Sequence, residues 1–187
     1  MAGSAPGLDG DGGPALNAKF NGPFGITFDR AGNLYIVDGF NGLVRKVSPQ
    51  GMVTRYAGSR HFSGDGGQAA EALLFNPTNP AFEARGNLLF ADQNNHLVRR
   101  IDGSGVINSA VGTGTAGYSG DSGQALKAEQ YSPREVVSDK TGNLFISEYG
   151  NFTIRKVTAS GLVSTYAGDP TAPNAAALLD GPALSFD

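Results

Sequence analysis

Three short markers recur along this 187-residue chain in constant register, and that register restricts the fold more than any other feature. Asp11 to Gly58, Asp65 to Gly112 and Asp121 to Gly168 each span 47 positions. Between successive units, Gly58 to Asp65 spans 7 positions and Gly112 to Asp121 spans 9. Inside the units, Gly32-Asn33-Leu34, Gly86-Asn87-Leu88 and Gly142-Asn143-Leu144 keep their place, as do Val44–Val47, Val98–Ile101 and Ile154–Val157. All length variation is therefore confined to one loop. A strand ladder accounts for this, because a slip of one residue turns every side chain to the opposite face. A helical solenoid would show an apolar period of ~3.6 residues instead, and the units lack it.

Each unit divides into four short strands. In the first unit these are Phe24–Asp29, Leu34–Asp38, Leu43–Val47 and Met52–Tyr56, rich in β-branched and aromatic residues. Arg30-Ala31-Gly32 turns between the first two, and Ser48-Pro49-Gln50-Gly51 between the last two. Composition agrees: 28 glycines serve many turns, and charged residues, at 17%, fall below the ~25% of an average domain. Hydrophobic content of 40% is too high for a disordered chain. The expectation is an all-β chain of three four-stranded antiparallel blades, a partial β-propeller.

The motifs resemble the NHL-repeat family, in particular its bacterial-type arrays. The resemblance lies in Gly10–Ala15 ahead of the first strand, in Gly32–Asp38 across the second and in Ile154–Val157 on the third. It covers nearly the whole chain and implies fold more than function, since propellers host unrelated activities. The repeat divides the chain into the tail of a preceding blade or a linker over 1–10, blades over 11–58, 59–112 and 113–168, and the start of a further blade or a tail over 169–187. Family propellers usually carry five or six blades, so three would be half of a six-bladed ring. Ala2-Gly3-Ser4 matches Ala57-Gly58-Ser59, and Asp180-Gly181-Pro182-Ala183 echoes Asp11–Ala15, so both ends of the sequence fall at one point of the repeat. Several hundred Å² of bare apolar surface would cost on the order of 10 kcal/mol at each end of such an arc. Cover is expected either from further blades of a longer chain or from a second copy in a head-to-tail homodimer. Blade 2 departs from the pattern at Thr78-Asn79-Pro80. Proline has no N–H for the ladder, so the inner strand there is expected to be shortened or irregular.

A net charge of −3 and a pI near 5.3 disfavour nucleic acid and anionic membranes as partners. The chain has no cysteine, which removes disulfide, thiolate and cysteine–metal chemistry. No apolar run approaches the ~18 residues of a membrane span, and Met1 to Pro14 carries no signal-peptide pattern. The compartment is left open, with the resemblance alone leaning toward an extracellular or cell-surface setting.

Propeller geometry puts the Asp-Gly loops and the ends of the second strands on one face. Asp38, Asp92 and Glu148 would then form an acidic rim open to a ligand or cation, or else serve turn chemistry, which their repetition in every blade favours. Arg45, Arg99 and Arg155 recur on the third strand and are expected to pair with carboxylates or carbonyls of a neighbouring blade. Arg134 and Glu135 stand at the channel mouth of blade 3, and Arg134, unique to that blade, is the better specificity candidate. Tyr118, Phe62 and Tyr149 lie near loops, either as aromatic anchors for a ligand or as packing for their own loops. His61 and His96 fall on the same rim, but a zinc site needs three or four ligands and there is no third histidine. Neither a Gly-x-Ser-x-Gly elbow nor a phosphate loop with its lysine occurs.

These residues point to a non-catalytic scaffold that binds a protein, peptide or glycan through its loop-bearing face, without a cofactor. The alternative is part of a propeller lyase or lactonase-type hydrolase whose channel metal is completed by other blades or a second copy. Glu135 and Asn79 would be its polar contributors here. RNA binding, seen in some animal members of the family, would need a basic upper face, and the acidic loops oppose it.

Overall fold

The computed structural model describes residues 7–59 and 64–170. Their strands form three four-stranded antiparallel sheets. The first holds Pro23–Phe28 (β1), Leu34–Asp38 (β2), Leu43–Val47 (β3) and Val53–Ala57 (β4). The second holds Pro77–Phe82 (β5), Leu88–Asp92 (β6), Leu97–Ile101 (β7) and Ile107–Val111 (β8). The third holds Pro133–Ser138 (β9), Leu144–Glu148 (β10), Thr153–Val157 (β11) and Val163–Ala167 (β12). Each sheet is a blade. The blades stand side by side with their first strands innermost, β1 against β5 and β5 against β9, giving a partial β-propeller.

The cores lie between blades, and the period of two along each strand feeds both faces. In β2, Tyr35 and Val37 enter the core shared with blade 2, while Ile36 enters a cluster on the blade's other side. In β6, Leu88 and Phe90 meet Tyr35 and Val37, and Leu89 turns toward Val136, Leu144 and Ile146 of blade 3. Strands buried on both faces have no polar face to spare, which explains their near-continuous apolar runs.

The Gly-Asn-Leu marker is a turn device. Asp29 accepts the N–H groups of Ala31 and Asn33 at 2.9 Å each and the Asn33 amide at 2.7 Å. Asp139 repeats this with Thr141 and Asn143.

The Asp-Gly-Gly marker has a different task. Gly12 N–H donates to the Val53 carbonyl, Val53 N–H to Gly13 and Ala15 N–H to Gly51, at 2.8, 3.0 and 2.7 Å. Equivalent bonds tie Gly66, Gly67 and Ala69 to Ile107 and Gly105, and Ser122, Gly123 and Ala125 to Val163 and Gly161. The lead-in loop of each repeat thus covers the outer edge of its own blade, an edge that would otherwise expose unpaired backbone groups. It then returns to the innermost strand through a short 3-10 turn at Ala15–Asn17, Ala69–Glu71 or Ala125–Lys127.

The inner strand of blade 2 is not shortened: β5 has six residues, as do β1 and β9. It is irregular, as Pro80 requires. Its pairing with β6 skips from Thr78↔Ala91 to Ala81↔Leu89, and Asn79 sits at φ 41°. The Thr78 hydroxyl and the Asn79 amide both donate to the Arg134 carbonyl, at 2.6 and 3.0 Å. The irregular strand is thereby fastened to blade 3.

Candidate functional site

Each blade builds the same charged triad beneath its loops. Arg45 Nε lies 2.9 Å from Asp11, and its Nη1 lies 3.5 Å from Asp38. Arg99 lies 3.0 Å from Asp65 and 3.5 Å from Asp92, and Arg155 lies 2.7 Å from Asp121 and 3.9 Å from Glu148. The expected neighbouring-blade pairing is corrected: all these carboxylates belong to the arginine's own repeat. The lead-in loop carries the outer aspartate over its own third strand, so no second blade is needed.

Asp38, Asp92 and Glu148 do not form an open acidic rim, because all three are buried. Asp38 accepts the Asn21 N–H at 2.6 Å and the Asn41 amide at 2.8 Å. Asp92 accepts the Phe75 N–H at 2.7 Å and the Asn95 amide at 2.9 Å. Glu148 accepts the Asn151 amide at 2.7 Å and the Thr153 hydroxyl at 3.2 Å. Burial pushes all three carboxyls up, that of Asp92 to about 6. These groups hold the turn after the second strand.

What opens to solvent on this face is aromatic: Phe24, Phe40, Phe75, Tyr131, Tyr149 and Phe152. The fold gathers them from three places, namely the start of an inner strand, the turn after the second strand and the segment before the inner strand. Register shifts leave Phe24 and Arg134 without a partner in their ladders, and such bulges re-aim side chains. Phe24 meets Phe40 edge-on at 5.0 Å. The Arg134 guanidinium lies 4.1 Å over the Tyr149 ring, with Phe152 6.3 Å beyond. A Cβ at Gly39 would run into the Phe24 ring, and one at Gly150 into Tyr131, so both rings lie close against bare backbone.

The backbone here is strained for the sake of side chains. The turn position held by Gly42 at φ 65° is held by His96 at 56° and by Phe152 at 57° in the later blades. A non-glycine residue in this region costs of order 1 kcal/mol. Phe152 is 53% exposed, at the position where Gly42 lies against the Leu74 carbonyl and His96 against Tyr131 of the following blade.

A cleft of about 470 Å³ between blades 1 and 2 is lined by Phe40, Leu73 and Phe75 with the amides of Asn41, Asn76 and Asn94. A second, of about 290 Å³, is lined by Arg134, Tyr149, Phe152 and Ile154. The first offers rings and neutral groups, and the second adds the charged side chains of Arg134 and Glu148.

Of the residues singled out in the sequence, Arg134 and Tyr149 come together on this face. Glu135 is exposed on β9, in register with Ser147. Tyr118 covers the blade 3 triad: its hydroxyl meets Asp121 and Thr165, and its ring lies 4.8 Å from the Arg155 guanidinium. The His96 ring accepts the Ser132 N–H at 3.2 Å, and burial lowers its pKa. His61 and Phe62 lie outside the described residues. Among the described residues no three of His, Cys, Asp or Glu gather as a metal site. Phe24, Phe40, Phe75, Tyr131 and Phe152 were not legible as surface groups. A usable signal was that Phe40 aligns with Asn94 and Gly150, positions no core would share.

A family description, the teneurin NHL domain, matches residues 7–63. Teneurin-1 of Mus musculus is 30% identical over 180 residues, which are 87% of this chain and 6% of that protein. NHL repeat-containing protein 2 of Bos taurus is 33% identical over 94 residues, 48% of this chain and 13% of that protein. The chain thus spans a small part, 6%, of the length of the teneurin it matches. Among solved structures, a protein of unknown function from Bacteroides thetaiotaomicron aligns with a TM-score of 0.66 at 23% identity, over 76% of this chain and 37% of that one. A gluconolactonase from Xanthomonas campestris aligns with a TM-score of 0.60 at 14% identity, over 79% and 48%. At such identities the two structures speak to fold alone. Repeat register, blade architecture and relatives converge, and the chain belongs to the NHL-repeat family of β-propellers.

Proposed function

We propose that this chain is a non-catalytic part of an NHL-repeat propeller whose loop-bearing face binds a protein, peptide or glycan. The observation that carries the reading is the cleft of about 470 Å³ between blades 1 and 2, where Phe40 and Phe75 stand exposed beside the neutral side chains of Asn41, Asn76 and Asn94. Exposed apolar rings gathered at a cleft with a few neutral polar groups suit recognition. Its surroundings agree, since Asp38, Asp92 and Glu148 are turned inward and the face presents rings, neutral amides and the Arg134 guanidinium. A partner suited to it offers apolar or hydroxyl-rich surface with little charge. A lyase or lactonase role would draw on inner-strand polar groups instead. Of the two named for it, Asn79 donates its Nδ2 to the Arg134 carbonyl and Glu135 is exposed.

A glycan array and a displayed-peptide library, probed with the chain and with a Phe40→Ser, Phe75→Ser, Phe152→Gly variant, test this reading. Binders that the folded variant loses would support it. A chain that selects nothing, or binders indifferent to the substitutions, would overturn it. Lactone hydrolysis with added divalent metal, abolished by Glu135→Gln, would establish the enzymatic alternative.

A further inference from the structure

At the end of the blades opposite the loop face, the turn between the first two strands occurs in three copies, and one of them differs. In blades 1 and 3 an aspartate closes it. The N–H groups of Ala31 and Asn33 converge on one Asp29 oxygen at 2.9 Å each, and those of Thr141 and Asn143 on one Asp139 oxygen at 2.9 and 2.8 Å. Blade 2 keeps the backbone of this turn. Gly86 N–H donates to the Glu83 carbonyl at 2.8 Å and Glu83 N–H to the Asn87 carbonyl at 3.0 Å, as Gly32 and Asp29 do in blade 1. Gly86 sits at φ 84°, beside 80° at Gly32 and 87° at Gly142.

The acid in blade 2 is a glutamate, and its extra methylene carries the carboxylate elsewhere. Glu83 accepts the Asn87 side-chain amide and pairs with Arg100, whose Nε lies 3.2 Å and whose Nη2 lies 3.3 Å from it. The N–H groups of Arg85 and Asn87 therefore have no acceptor among the described residues. Turn amides arranged in this way form an anion-binding concavity. Blades 1 and 3 show that a carboxylate oxygen fits it.

The surroundings are cationic. Arg85, Asn87 and Arg100 of blade 2 line a cleft of about 370 Å³ together with Lys140 and Thr141 of blade 3. Glu83 is the one carboxylate that lines it, and Arg100 and the Asn87 amide engage it. The side chains of Arg85 and Lys140 make no ion pair or hydrogen bond among the described residues, although Asp and Glu outnumber Lys and Arg by 17 to 14. The turn does not need these two cations, since the preceding repeat has Ala31 and Ala84 in their places. The cleft lies between two blades of this chain, so it is formed whatever adjoins either end.

We propose that this cleft binds a small ligand carrying two or more carboxylates. One carboxylate oxygen takes the Arg85 and Asn87 N–H groups, as the Asp29 and Asp139 oxygens take their equivalents. The Arg85 and Lys140 side chains hold the remaining charge through charge-assisted bonds. The site lies at the opposite end of the blades from the aromatic cleft and does not rest on what that cleft binds.

Proton–nitrogen NMR of the labelled chain, titrated with citrate at constant ionic strength, tests the proposal. The Arg85 and Asn87 amides are expected to move downfield and saturate. Those of Ala31, Asn33, Thr141 and Asn143, held by their aspartates, are expected to stay in place. Arg85→Ala combined with Lys140→Ala installs the residues of the preceding repeat and is expected to weaken citrate binding by about tenfold or more. Glu83→Asp leaves the net charge unchanged and supplies the acceptor of the other two blades, so it is expected to abolish both shifts. Shifts that never saturate, or that move all three turns together, overturn the proposal. Binding undiminished by Glu83→Asp or by the double substitution overturns it as well. Inorganic phosphate that binds more tightly than citrate overturns the assignment to carboxylates.

Discussion

Gln130 stands where Leu74 stands one blade earlier, and it is buried to 1% exposure with neither amide atom hydrogen-bonded. Leu74 fills that position as part of the core between blades 1 and 2. A buried polar group without a partner costs about 1–3 kcal/mol. Gln130→Leu is therefore expected to stabilise the chain by about that amount, read as a higher midpoint in urea at unchanged slope. A midpoint that does not rise would show that internal water bonds the amide.

Arg155 is buried between Asp121 and Glu148 and also donates to the Ser119 carbonyl at 3.0 Å. Arg155→Met keeps the stem and removes the charge, leaving Glu148 buried without its cation. Breaking a buried pair from one side costs about 3–5 kcal/mol, so denaturant unfolding of this variant should shift by that order. The equivalent change at Arg45 is expected to behave alike.

Two aspartates give acid stability opposite signs. Burial raises Asp92 from 3.8 to about 6, against the opposing pull of Asn95, the Phe75 N–H and Arg99. Between those values the folded chain holds a proton that the unfolded chain has lost, so stability falls as pH rises through the window. Protonation leaves Arg99 with Asp65 in a neutral pair. Asp139 behaves conversely, since bonds from Asn143 and Thr141 hold it at about 2. Its contribution is present above 3.8 and is lost as pH falls toward about 2. Thermal midpoints across the acid range should show Asp92→Asn reducing the slope of the upper window and Asp139→Asn reducing that of the lower limb.

Phe152→Gly restores the residue type that blade 1 has at Gly42. It is expected to raise stability by about 1 kcal/mol through relief of the left-handed backbone, while weakening capture of any ligand selected on the loop face. A variant that loses stability would show that the ring is held by packing rather than presented for recognition.

The second and third strands of blade 1 were legible residue for residue, because Leu34–Asp38 and Leu43–Val47 lie between turns with unambiguous chemistry. The first and fourth strands were displaced by one residue. The ladder of β1 extends to Pro23 across a bulge, and Ala57 belongs to β4 because it pairs with Val44 across another. Bulges leave no mark in a pattern of alternation, so the exposure of Phe24 was equally invisible. The triads were hidden for a different reason. Asp92 bonds an N–H 17 residues before it, and Asp65 meets an arginine 34 residues after it. Both spacings are set by the path of the lead-in loop over its own blade. Read locally, Asp-Gly-Gly signals a turn and Asp38 signals a strand end, and neither reading contains the arginine.

That loop path bears on how such arrays change over generations. Because each repeat latches the start of its own outer strand with its own first residues, a recombination event that copies or deletes one 48-residue unit, such as Asp65 to Gly112, moves a complete latch with it. Each daughter sheet keeps the loop that latches the start of its outer strand. The scar falls in Gly58 to Asp65 or Gly112 to Asp121, the stretch whose length already differs between copies. Blade number is thus a quantity that crossing-over can alter one step at a time, with each intermediate still made of finished sheets.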